Sequence, residues 1–361
     1  MTFVEKFLGT RVLITGGLGF IGSHLARRLC AAGATVTIMD SLVPEYGGNL
    51  HNIADIRDRL NVNISDVRDR HAMKHLVRGQ DFLFNLAGQT SHLDSMLDPF
   101  TDLEINAASQ LAILEACRHH NPRIRIVFAS TRQVYGKPRY LPVDEDHPLA
   151  PVDVNGINKL SGEWYHLLYH QVYGLHVCVL RLTNTYGPCM RIKDARQTFL
   201  GIWIRLILEG KPFKIFGDGA QRRDFNHVDD VVDALLLAAT HEQALGRLFN
   251  LGGAEILSLR ELGELLVEVN RGGEMEIVPF PPERKAIDIG DYYGSYAKFQ
   301  AATGWEPCRP MRDGLEQTLS YYHNHYSHYV DGGVLPRPAP PGGTAAPAAA
   351  PSYEHQSLGV S

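Results

Sequence analysis

The feature that most constrains this chain is a set of three glycines that follows an apolar run close to the start of the sequence. Residues 11–15 read Arg-Val-Leu-Ile-Thr, and glycines follow at positions 16, 19 and 22. Residues 23–29 then place apolar side chains at helical spacing. A short apolar run predicts a buried strand, and the glycines predict a tight turn into a helix. The order strand, glycine turn, helix is typical of the first unit of a doubly wound α/β fold.

The glycine spacing also indicates what the turn holds. Gly16 permits the tight turn, Gly19 lets the backbone approach the pyrophosphate of a dinucleotide, and Gly22 lets the helix pack on the strand. The helix N-terminus offers unpaired N–H groups and a positive dipole end to the phosphates. A second apolar run ends in Asp40, eighteen residues after Gly22. A carboxylate there binds ribose hydroxyls and repels a 2′-phosphate, which favours NAD over NADP. The alternative is a glycine-rich turn in another α/β fold.

Strand-like runs alternate with helical patterns through the first half of the chain. The runs cover 12–15, 36–39, 81–86, 124–128 and 177–182, and one clear helical pattern covers 108–118. This alternation predicts a Rossmann-type doubly wound parallel sheet, with ligands at the carboxyl ends of its strands. We expect residues 1–180 to form mainly the NAD-binding domain, with later segments returning to it. Residues 181–328 are expected to form mainly a smaller C-terminal substrate-binding lobe. The Pro/Ala/Gly-rich residues 329–361 predict a disordered tail.

Composition excludes several classes of function. The 361 residues carry a net charge of −5 without a basic block, which argues against nucleic acid or an anionic membrane as the main partner. The five cysteines are odd in number and lack the spacing of a metal site or a disulfide framework, so we expect no metal and a reducing compartment. No N-terminal segment resembles a signal peptide, and no apolar run is long enough to span a bilayer. These features predict a cytoplasmic protein.

Further motifs occur in the order found in one family. They are the glycine turn, Asp40, Asp66-Val67-Arg68-Asp69, Leu86-Ala87-Gly88, Asn106, Ser130-Thr131, Val134-Tyr135-Gly136, Lys159, Asn184-Thr185-Tyr186-Gly187-Pro188 and Arg222-Arg223-Asp224-Phe225. Over about residues 10–325 the chain resembles the extended short-chain dehydrogenases, in particular NAD-dependent nucleotide-sugar epimerases and dehydratases. Each motif is weak alone, and their combination is specific.

The resemblance implies a site for NAD and a site for a nucleotide-diphosphate sugar. It places Asp66 at the adenine amino group, Lys159 at the nicotinamide ribose and Thr131 at the sugar hydroxyl that is oxidised. The implied cofactor-binding residues are Gly16, Gly19, Phe20, Ile21, Gly22, Asp40, Asp66, Val67, Leu86, Ala87, Gly88, Asn106 and Lys159. The implied substrate-binding residues are His92, Thr131, Gln133, Asn184, Arg223 and Arg284, of which the last three would bind the diphosphate. A homodimer formed through helices over 107–119 and 159–173 is implied as well.

One position departs from the family pattern. Family members usually carry a tyrosine four residues before the lysine, and this chain has Asn155 there. An amide cannot take up a proton near neutral pH, whereas a tuned phenol can. We therefore consider Thr131, Asn155 and Lys159 as the catalytic set, with the proton acceptor left open. Four side chains are candidates for that acceptor: Tyr135, Tyr186, His92 and Asp153. The alternatives are that Thr131 relays the proton to water while Asn155 orients the substrate, or that the protein binds both ligands without turnover.

The residues after Thr131 bear on the type of reaction. The 4,6-dehydratases of this family typically have an Asp–Glu pair there, and this chain has Arg132 and Gln133, neither of which exchanges a proton at neutral pH. We therefore predict an epimerase that works through a transient keto-sugar, with C4 favoured and C2 as the alternative. Dehydration or uronate decarboxylation, in which Arg132 binds a carboxylate, is the competing prediction. Cys189 and Lys193 are either an acid–base pair for 3,5-epimerisation or part of a surface loop.

Overall fold

A seven-stranded parallel sheet forms the centre of the protein within residues 3–194, 198–285 and 288–335, the parts of the chain that this computed structural model describes. The strands are β1 Arg11–Thr15, β2 Thr35–Asp40, β3 Leu60–Ile64, β4 Phe82–Asn85, β5 Arg125–Thr131, β6 His176–Leu182, β7 Asn184–Tyr186, β8 Phe213–Phe216, β9 Arg222–His227, β10 Arg247–Leu251, β11 Ile256–Ser258 and β12 Met275–Val278. The helices are α1 Phe20–Ala31, α2 Arg70–Leu76, α3 His92–Leu97, α4 Pro99–Leu103, α5 Ser109–His120, α6 Val154–Tyr173, α7 Phe199–Leu208, α8 Val228–Thr240, α9 Leu259–Val269, α10 Pro282–Lys285, α11 Ala297–Thr303 and α12 Met311–His325.

The order of strands in the central sheet is β3-β2-β1-β4-β5-β6-β10, and all neighbours are parallel. The chain builds outward from β1 to β3 and then returns to place β4 on the other side of β1. This reversal creates a crevice at the carboxyl ends of β1 and β4. The predicted Rossmann-type doubly wound sheet is confirmed, and every predicted strand run corresponds to a strand of this sheet.

Both faces of the central sheet are covered by helices. Val12 and Ile14 of β1 belong to one apolar cluster, which α1 and α8 complete, whereas Leu13 belongs to a second cluster on the opposite face. Helices α5 and α6 supply that second cluster with side chains such as Ile113 and Tyr169. Because β10 and α8 follow residue 181 in the chain, later segments do contribute to this domain.

A smaller lobe lies at the carboxyl ends of the strands. It contains the sheet β11-β9-β7, the strand pair β12-β8, and helices α7, α9 and α12 around their own apolar cluster. Tyr329 and Val330, which the sequence placed at the start of the tail, pack against this cluster. The remaining tail residues 336–361 lie outside the described residues. Among the helices that the structure describes, none combines the length and the apolar character needed to cross a membrane.

Candidate active site

A cleft opens at the carboxyl ends of β1, β2, β4 and β5, between the central sheet and the smaller lobe. Of the predicted residues, its wall contains Gly16, Gly19, Phe20, Ile21, Gly22, Asp40, Asp66, Val67, Leu86, Ala87, Gly88, His92, Thr131, Gln133, Asn155, Lys159 and Asn184. Asn106 lies directly behind the wall and Arg223 lies apart from it. The side chain of Arg284 lies outside the described residues. The loop after β2 adds Val43 and Tyr46, which no sequence motif indicated.

The glycine turn leaves no space for side chains at two of its three positions. Gly16 has a φ of +73°, and a Cβ there would lie 2.9 Å from the backbone N of Ala87. At Gly22 a Cβ would lie 2.3 Å from the carbonyl oxygen of Gly16. Gly19 is the N-cap of α1 and provides no side-chain cap, so the N–H groups of the first helical turn are available to an anion. This backbone cradle fits the pyrophosphate of NAD.

Two carboxylates line the same cleft as this cradle. The oxygens of Asp40 accept hydrogen bonds from the backbone N–H groups of Leu18 and Leu42, at 2.9 and 2.8 Å. Burial raises the pKa of Asp40, and these two bonds oppose the rise. Asp66 is bound by the guanidinium of Arg68 at 2.9 Å, a hydrogen bond that lowers the pKa of this carboxyl despite its partial burial. Each carboxylate keeps acceptor capacity toward the cleft, as a ribose or an adenine amino group requires.

At the other end of the cleft, Lys159 and Asn106 meet at Gly88. A Cβ on Gly88 would lie 2.9 Å from both the Nζ of Lys159 and the Oδ1 of Asn106. That Oδ1 atom is buried and has no hydrogen-bond partner within the described residues. Lys159 donates to the carbonyl of Ala129 at 3.1 Å, and burial lowers its pKa to about 8. The unpartnered oxygen of Asn106 and the buried amine of Lys159 lie next to Gly88, which has no side chain. These groups fit the hydroxyls and the amide of a nicotinamide riboside.

The amide of Asn155 is committed to a buried carboxylate. Its Nδ2 donates to Asp102 at 2.9 Å and to the carbonyl of Gln89 at 2.7 Å. Asp102 is fully buried and also accepts hydrogen bonds from Asn106 and Asn158, at 3.0 and 2.8 Å. Both donor hydrogens of Asn155 are therefore used, and its carbonyl oxygen is the group left for the cleft. Asp102 had no signal in the sequence, because its role depends on three amides from separate turns of two helices.

Two of the four candidate proton acceptors are sequestered. Tyr135 is fully buried, donates to Asn250 at 2.7 Å and accepts from Arg181 at 2.6 Å, and burial raises its pKa to about 12. Tyr186 is also buried, and burial raises its pKa further still. Neither tyrosine contributes to the wall of the cleft.

The other two candidates, His92 and Asp153, contact each other at the cleft. The Nδ1 of His92 is hydrogen-bonded to a carboxylate oxygen of Asp153, and its Nε2 faces the side-chain nitrogen of Gln133 at 2.5 Å. Gln133 follows Thr131 at the end of β5, and the Thr131 hydroxyl accepts from the backbone N of Gln133 at 3.3 Å. The structure thus brings a histidine–aspartate pair next to the predicted substrate hydroxyl site.

Of the residues predicted to bind the diphosphate, Asn184 lines the cleft and Arg223 does not. Arg132, predicted as a carboxylate ligand in a decarboxylase, lines the cleft, lies over the ring of Tyr292 and donates to Asn184 at 3.5 Å. Arg223 instead donates to the carbonyls of Arg222 and Gly290, and burial lowers its pKa to about 10. Its predicted contact with the diphosphate stays a prediction.

Cys189 and Lys193 have different partners. The thiol of Cys189 is buried and hydrogen-bonds to the hydroxyl of Tyr321 at 3.3 Å. Lys193 pairs with Asp331 at the surface. The described contacts therefore do not join the two residues as an acid–base pair.

Comparison with known proteins identifies the family. Residues 12–252 match the model of the NAD dependent epimerase/dehydratase family. The chain is 33% identical to a dTDP-glucose 4,6-dehydratase of Streptomyces griseus, over 91% of this chain and 99% of the relative. It is 31% identical to a UDP-glucose 4-epimerase of Mycolicibacterium smegmatis, over 87% and 99% of the two chains. The structure of a UDP-glucuronic acid 4-epimerase of Bacillus cereus, in complex with UDP-glucuronic acid and NAD, superposes with a TM-score of 0.79 at 27% identity, over 88% and 100%.

These matches extend over nearly the whole length of each relative. The cleft of this chain also has the glycine turn, the two carboxylates and the lysine that the resemblance implies for the NAD site. The chain is therefore an enzyme of the NAD-dependent epimerase/dehydratase family, a family of nucleotide-sugar enzymes, and NAD is its cofactor.

Proposed function

We propose that the protein is a nucleotide-sugar epimerase that inverts one carbon of the sugar through a transient keto intermediate, with C4 favoured and C2 as the alternative. When bound, NAD would supply the redox chemistry, as carrier of the hydride that leaves the sugar carbon and returns to it. Glycines 16, 19 and 22, Asp40 and Lys159 would hold the cofactor along the cleft. Thr131 would orient the hydroxyl that is oxidised.

The observation that carries this proposal is the identity of the two residues that follow Thr131 and line the cleft. Arg132 and Gln133 both line the cleft there, so this stretch offers a cation and an amide where elimination needs a carboxylic acid and a base. Removal and return of a hydride requires a single proton acceptor and a pocket in which the sugar can turn. The composition of this wall supports epimerisation over dehydration.

Uronate decarboxylation is the second candidate, and Arg132 favours it. Its guanidinium sits in the cleft wall next to Asn184, where a planar donor fork matches a sugar carboxylate. A relative named UDP-glucuronic acid decarboxylase 1, from Xenopus tropicalis, is 29% identical over 91% of this chain. Oxidation at C4 of a uronate would be shared by both reactions, which differ in the fate of the keto intermediate.

We further propose that the enzyme acts as a homodimer on a nucleotide-diphosphate sugar in the cytoplasm. Helices α5 and α6 expose apolar side chains such as Leu111 and Trp164. Exposed apolar area of this kind is typical of an interface between proteins. A cytoplasmic location is the expectation from the cysteine pattern, and all five cysteines are free thiols.

Proton NMR of the purified protein with NAD and UDP-, GDP-, CDP- and dTDP-hexoses and uronates tests the proposal. We expect a new sugar nucleotide of unchanged mass, with no net absorbance at the wavelength of NADH. The inverted carbon is read from the coupling constants of the sugar ring. A 4-keto-6-deoxy product would move the protein to the dehydratases, and release of carbon dioxide would move it to the decarboxylases. Absence of any product with the whole panel would overturn the proposal.

A further inference from the structure

We infer that His92, oriented by Asp153, is the acid–base group that takes the place of the tyrosine missing at position 155. This inference rests on the proposed function, because it assigns the proton acceptor for oxidation of the sugar hydroxyl. It adds to that function a catalytic pair, His92 and Asp153, that lies outside the glycine, threonine and lysine motifs.

Two helix starts bring the pair together. His92 is the first residue of α3, whose N-cap Ser91 accepts a hydrogen bond from Asp94 N. Asp153 is the N-cap of α6 and accepts a hydrogen bond from the backbone N of Gly156 at 2.7 Å. The side chain of Asp153 is 1% exposed and that of His92 is 38% exposed. The carboxylate is therefore buried behind the imidazole, and the imidazole is the member that reaches the cleft.

The contacts of His92 define its tautomer. Burial is the largest influence on the Asp153 carboxyl and alone would raise its pKa, but His92, the backbone N–H of Gly156 and the charge of Arg132 together hold this pKa below its usual value. An ionised carboxylate accepts only, so the Nδ1 of a neutral His92 carries the hydrogen. The lone pair of the imidazole is then at Nε2, where the side-chain amide of Gln133 donates to it. This is the tautomer that a general base requires.

Gln133 also leaves an acceptor available at the same place. Its Oε1 atom is buried and has no hydrogen-bond partner among the described residues. A sugar hydroxyl that displaces the amide from Nε2 gains a base at His92, while the amide of Gln133 remains beside it. Because Gln133 N is bound to the hydroxyl of Thr131, the base lies close to the group that orients the substrate.

The remaining groups near the substrate are unsuited to the task. Tyr135 and Tyr186 are outside the cleft wall, Asn155 has no proton to exchange, and Lys159 donates to the carbonyl of Ala129. Asp153 is two residues before Asn155, so the same first turn of α6 carries the altered position and the carboxylate of the pair. Among the described residues, the side chains that lower the pKa of the Asp153 carboxyl are His92 and Arg132, and the charge of Arg132 also favours the ionised carboxylate.

The proton balance is simple. When the alcohol is oxidised, its O–H bond breaks and the proton passes to Nε2 of His92, while the two electrons of the C–H bond leave as the hydride. The resulting imidazolium is stabilised by the Asp153 carboxylate. When the hydride returns, the proton passes from Nε2 back to the sugar oxygen. No outside acid, base or redox partner is consumed over the cycle.

The test compares the pH profile of kcat/KM in the wild type and in His92→Gln, on whichever sugar nucleotide the NMR panel identifies. General-base catalysis contributes about 10²–10⁴-fold, so His92→Gln should lose at least about 10²-fold in kcat. The wild-type profile should fall on its acidic side through one ionisation, and the variant should lack that limb. Asp153→Asn keeps a good N-cap but removes the charge that fixes the tautomer, and it should lose about 10-fold or more. Imidazole added to His92→Ala should restore part of the rate.

The matched control is His71→Gln, which changes an exposed histidine of α2 away from the cleft and should keep the wild-type profile. NAD content and thermal unfolding of each variant report whether the fold and the cofactor site survive. If the wild type turns over but His92→Gln keeps its rate and its acidic limb, this inference fails and the proposed function stands. The inference also fails if activity falls while the limb persists and imidazole gives no rescue. If the wild type converts no sugar nucleotide, the proposed function fails and this inference fails with it.

Discussion

Asn155 lies where the resemblance to the family predicts a tyrosine, and its contacts give an asparagine at this position a physical reason. The buried carboxylate of Asp102 receives hydrogen bonds from the amides of Asn106, Asn155 and Asn158. A buried carboxylate without such donors would cost several kcal/mol. A phenol has one donor hydrogen, whereas the Asn155 amide supplies two, one to Asp102 and one to Gln89. Asn155 thus helps to satisfy the buried carboxylate of Asp102 behind the cleft.

The burial of Lys159 leads to a testable prediction about activity and stability. Replacement by Met should abolish turnover, because the ammonium that is predicted to bind the ribose is lost. In the cofactor-free protein, burial lowers the pKa of Lys159 to about 8, whereas the unfolded chain has its ordinary value of 10.5. Between these two pH values the unfolded chain binds the extra proton, so the wild type gains stability as the pH rises. The gain corresponds to about 3 kcal/mol, and Lys159→Met lacks it.

Thermal unfolding of both proteins at pH 7, 8, 9 and 10 measures this difference. The wild type should gain in Tm relative to Lys159→Met over this range. If the difference in Tm between the wild type and Lys159→Met stays constant with pH, burial does not lower the pKa of Lys159. Turnover by the Met variant at a rate near that of the wild type would contradict its placement at the cofactor.

The sequence predicted most single residues of the cleft because each lies directly after a strand or within the glycine turn. It did not predict Asp102, whose importance comes from amides that the fold assembles around it. Nor did it predict that the guanidinium of Arg223, expected at the diphosphate, donates to the carbonyls of residues 222 and 290 in the structure. Such cases depend on contacts between segments far apart in the chain, and no local pattern records them.

At the scale of elements, two glycines in the turn from β1 into α1 have different roles: Gly22 allows the helix to pack on the strand, and Gly19 leaves room for the pyrophosphate. A Cβ on Gly22 would lie 2.3 Å from the carbonyl oxygen of Gly16 and 2.7 Å from the Cα of Gly17, and both atoms belong to the backbone. On Gly19 the nearest atom would be the same carbonyl oxygen at 3.3 Å. Gly22→Ala should therefore destabilise the cofactor-free protein by about 1–3 kcal/mol or more, since the strand and helix must separate.

Gly19→Ala is the matched variant. It should cost at most about 1 kcal/mol, the effect of a poorer N-cap, yet weaken NAD binding because the methyl group stands where the pyrophosphate approaches. Denaturant unfolding gives the stability of each variant, and isothermal titration gives the affinity for NAD. Equal stability losses in the two variants, or unchanged affinity in Gly19→Ala, would contradict this division of roles.

Elements buried on both sides were the easiest to predict. Between their end residues the strands β1, β2, β4, β5 and β6 are mostly apolar, since helices cover both of their faces. Strand β3 at the edge of the sheet alternates asparagine with apolar residues and gave no clear run. The strands of the smaller lobe have three to six residues and are held by distant partners, as β11 is by β9. Their pairing follows from the whole fold more than from their own sequence.

For the molecule as a whole, the switch from β1 to β4 determines where the chemistry occurs. Residues from both sides of this switch form the cofactor cleft, and the smaller lobe adds Asn184 and Thr198 to its wall. Two separate apolar clusters stabilise the central sheet against its helices, and a third stabilises the lobe. This arrangement suits the proposed epimerisation, because the central sheet would hold the cofactor while the separate lobe contacts the sugar.

The outer surface of the same molecule predicts its assembly. Helices α3, α4 and α6 expose apolar side chains near one another: Leu97 is 83% exposed, Phe100 is 76% exposed and Trp164 is 59% exposed. Val172 lies two helical turns beyond Trp164 and is also exposed. Burial of these apolar side chains between two copies of the chain would stabilise a dimer. We expect a mass of about 80 kDa by light scattering at micromolar concentration, twice the 40.2 kDa of the chain.

A double replacement, Trp164→Asp with Val172→Asp, should give a monomer that still binds NAD, because neither side chain lines the cleft. Val334→Asp is the control, since Val334 is as exposed as these residues but belongs to the segment after α12. A wild type that scatters as a monomer would contradict the dimer, as would a double variant that keeps the larger mass. If the control alone dissociates, the interface lies at the other end of the chain and the face that carries Trp164 and Val172 is free.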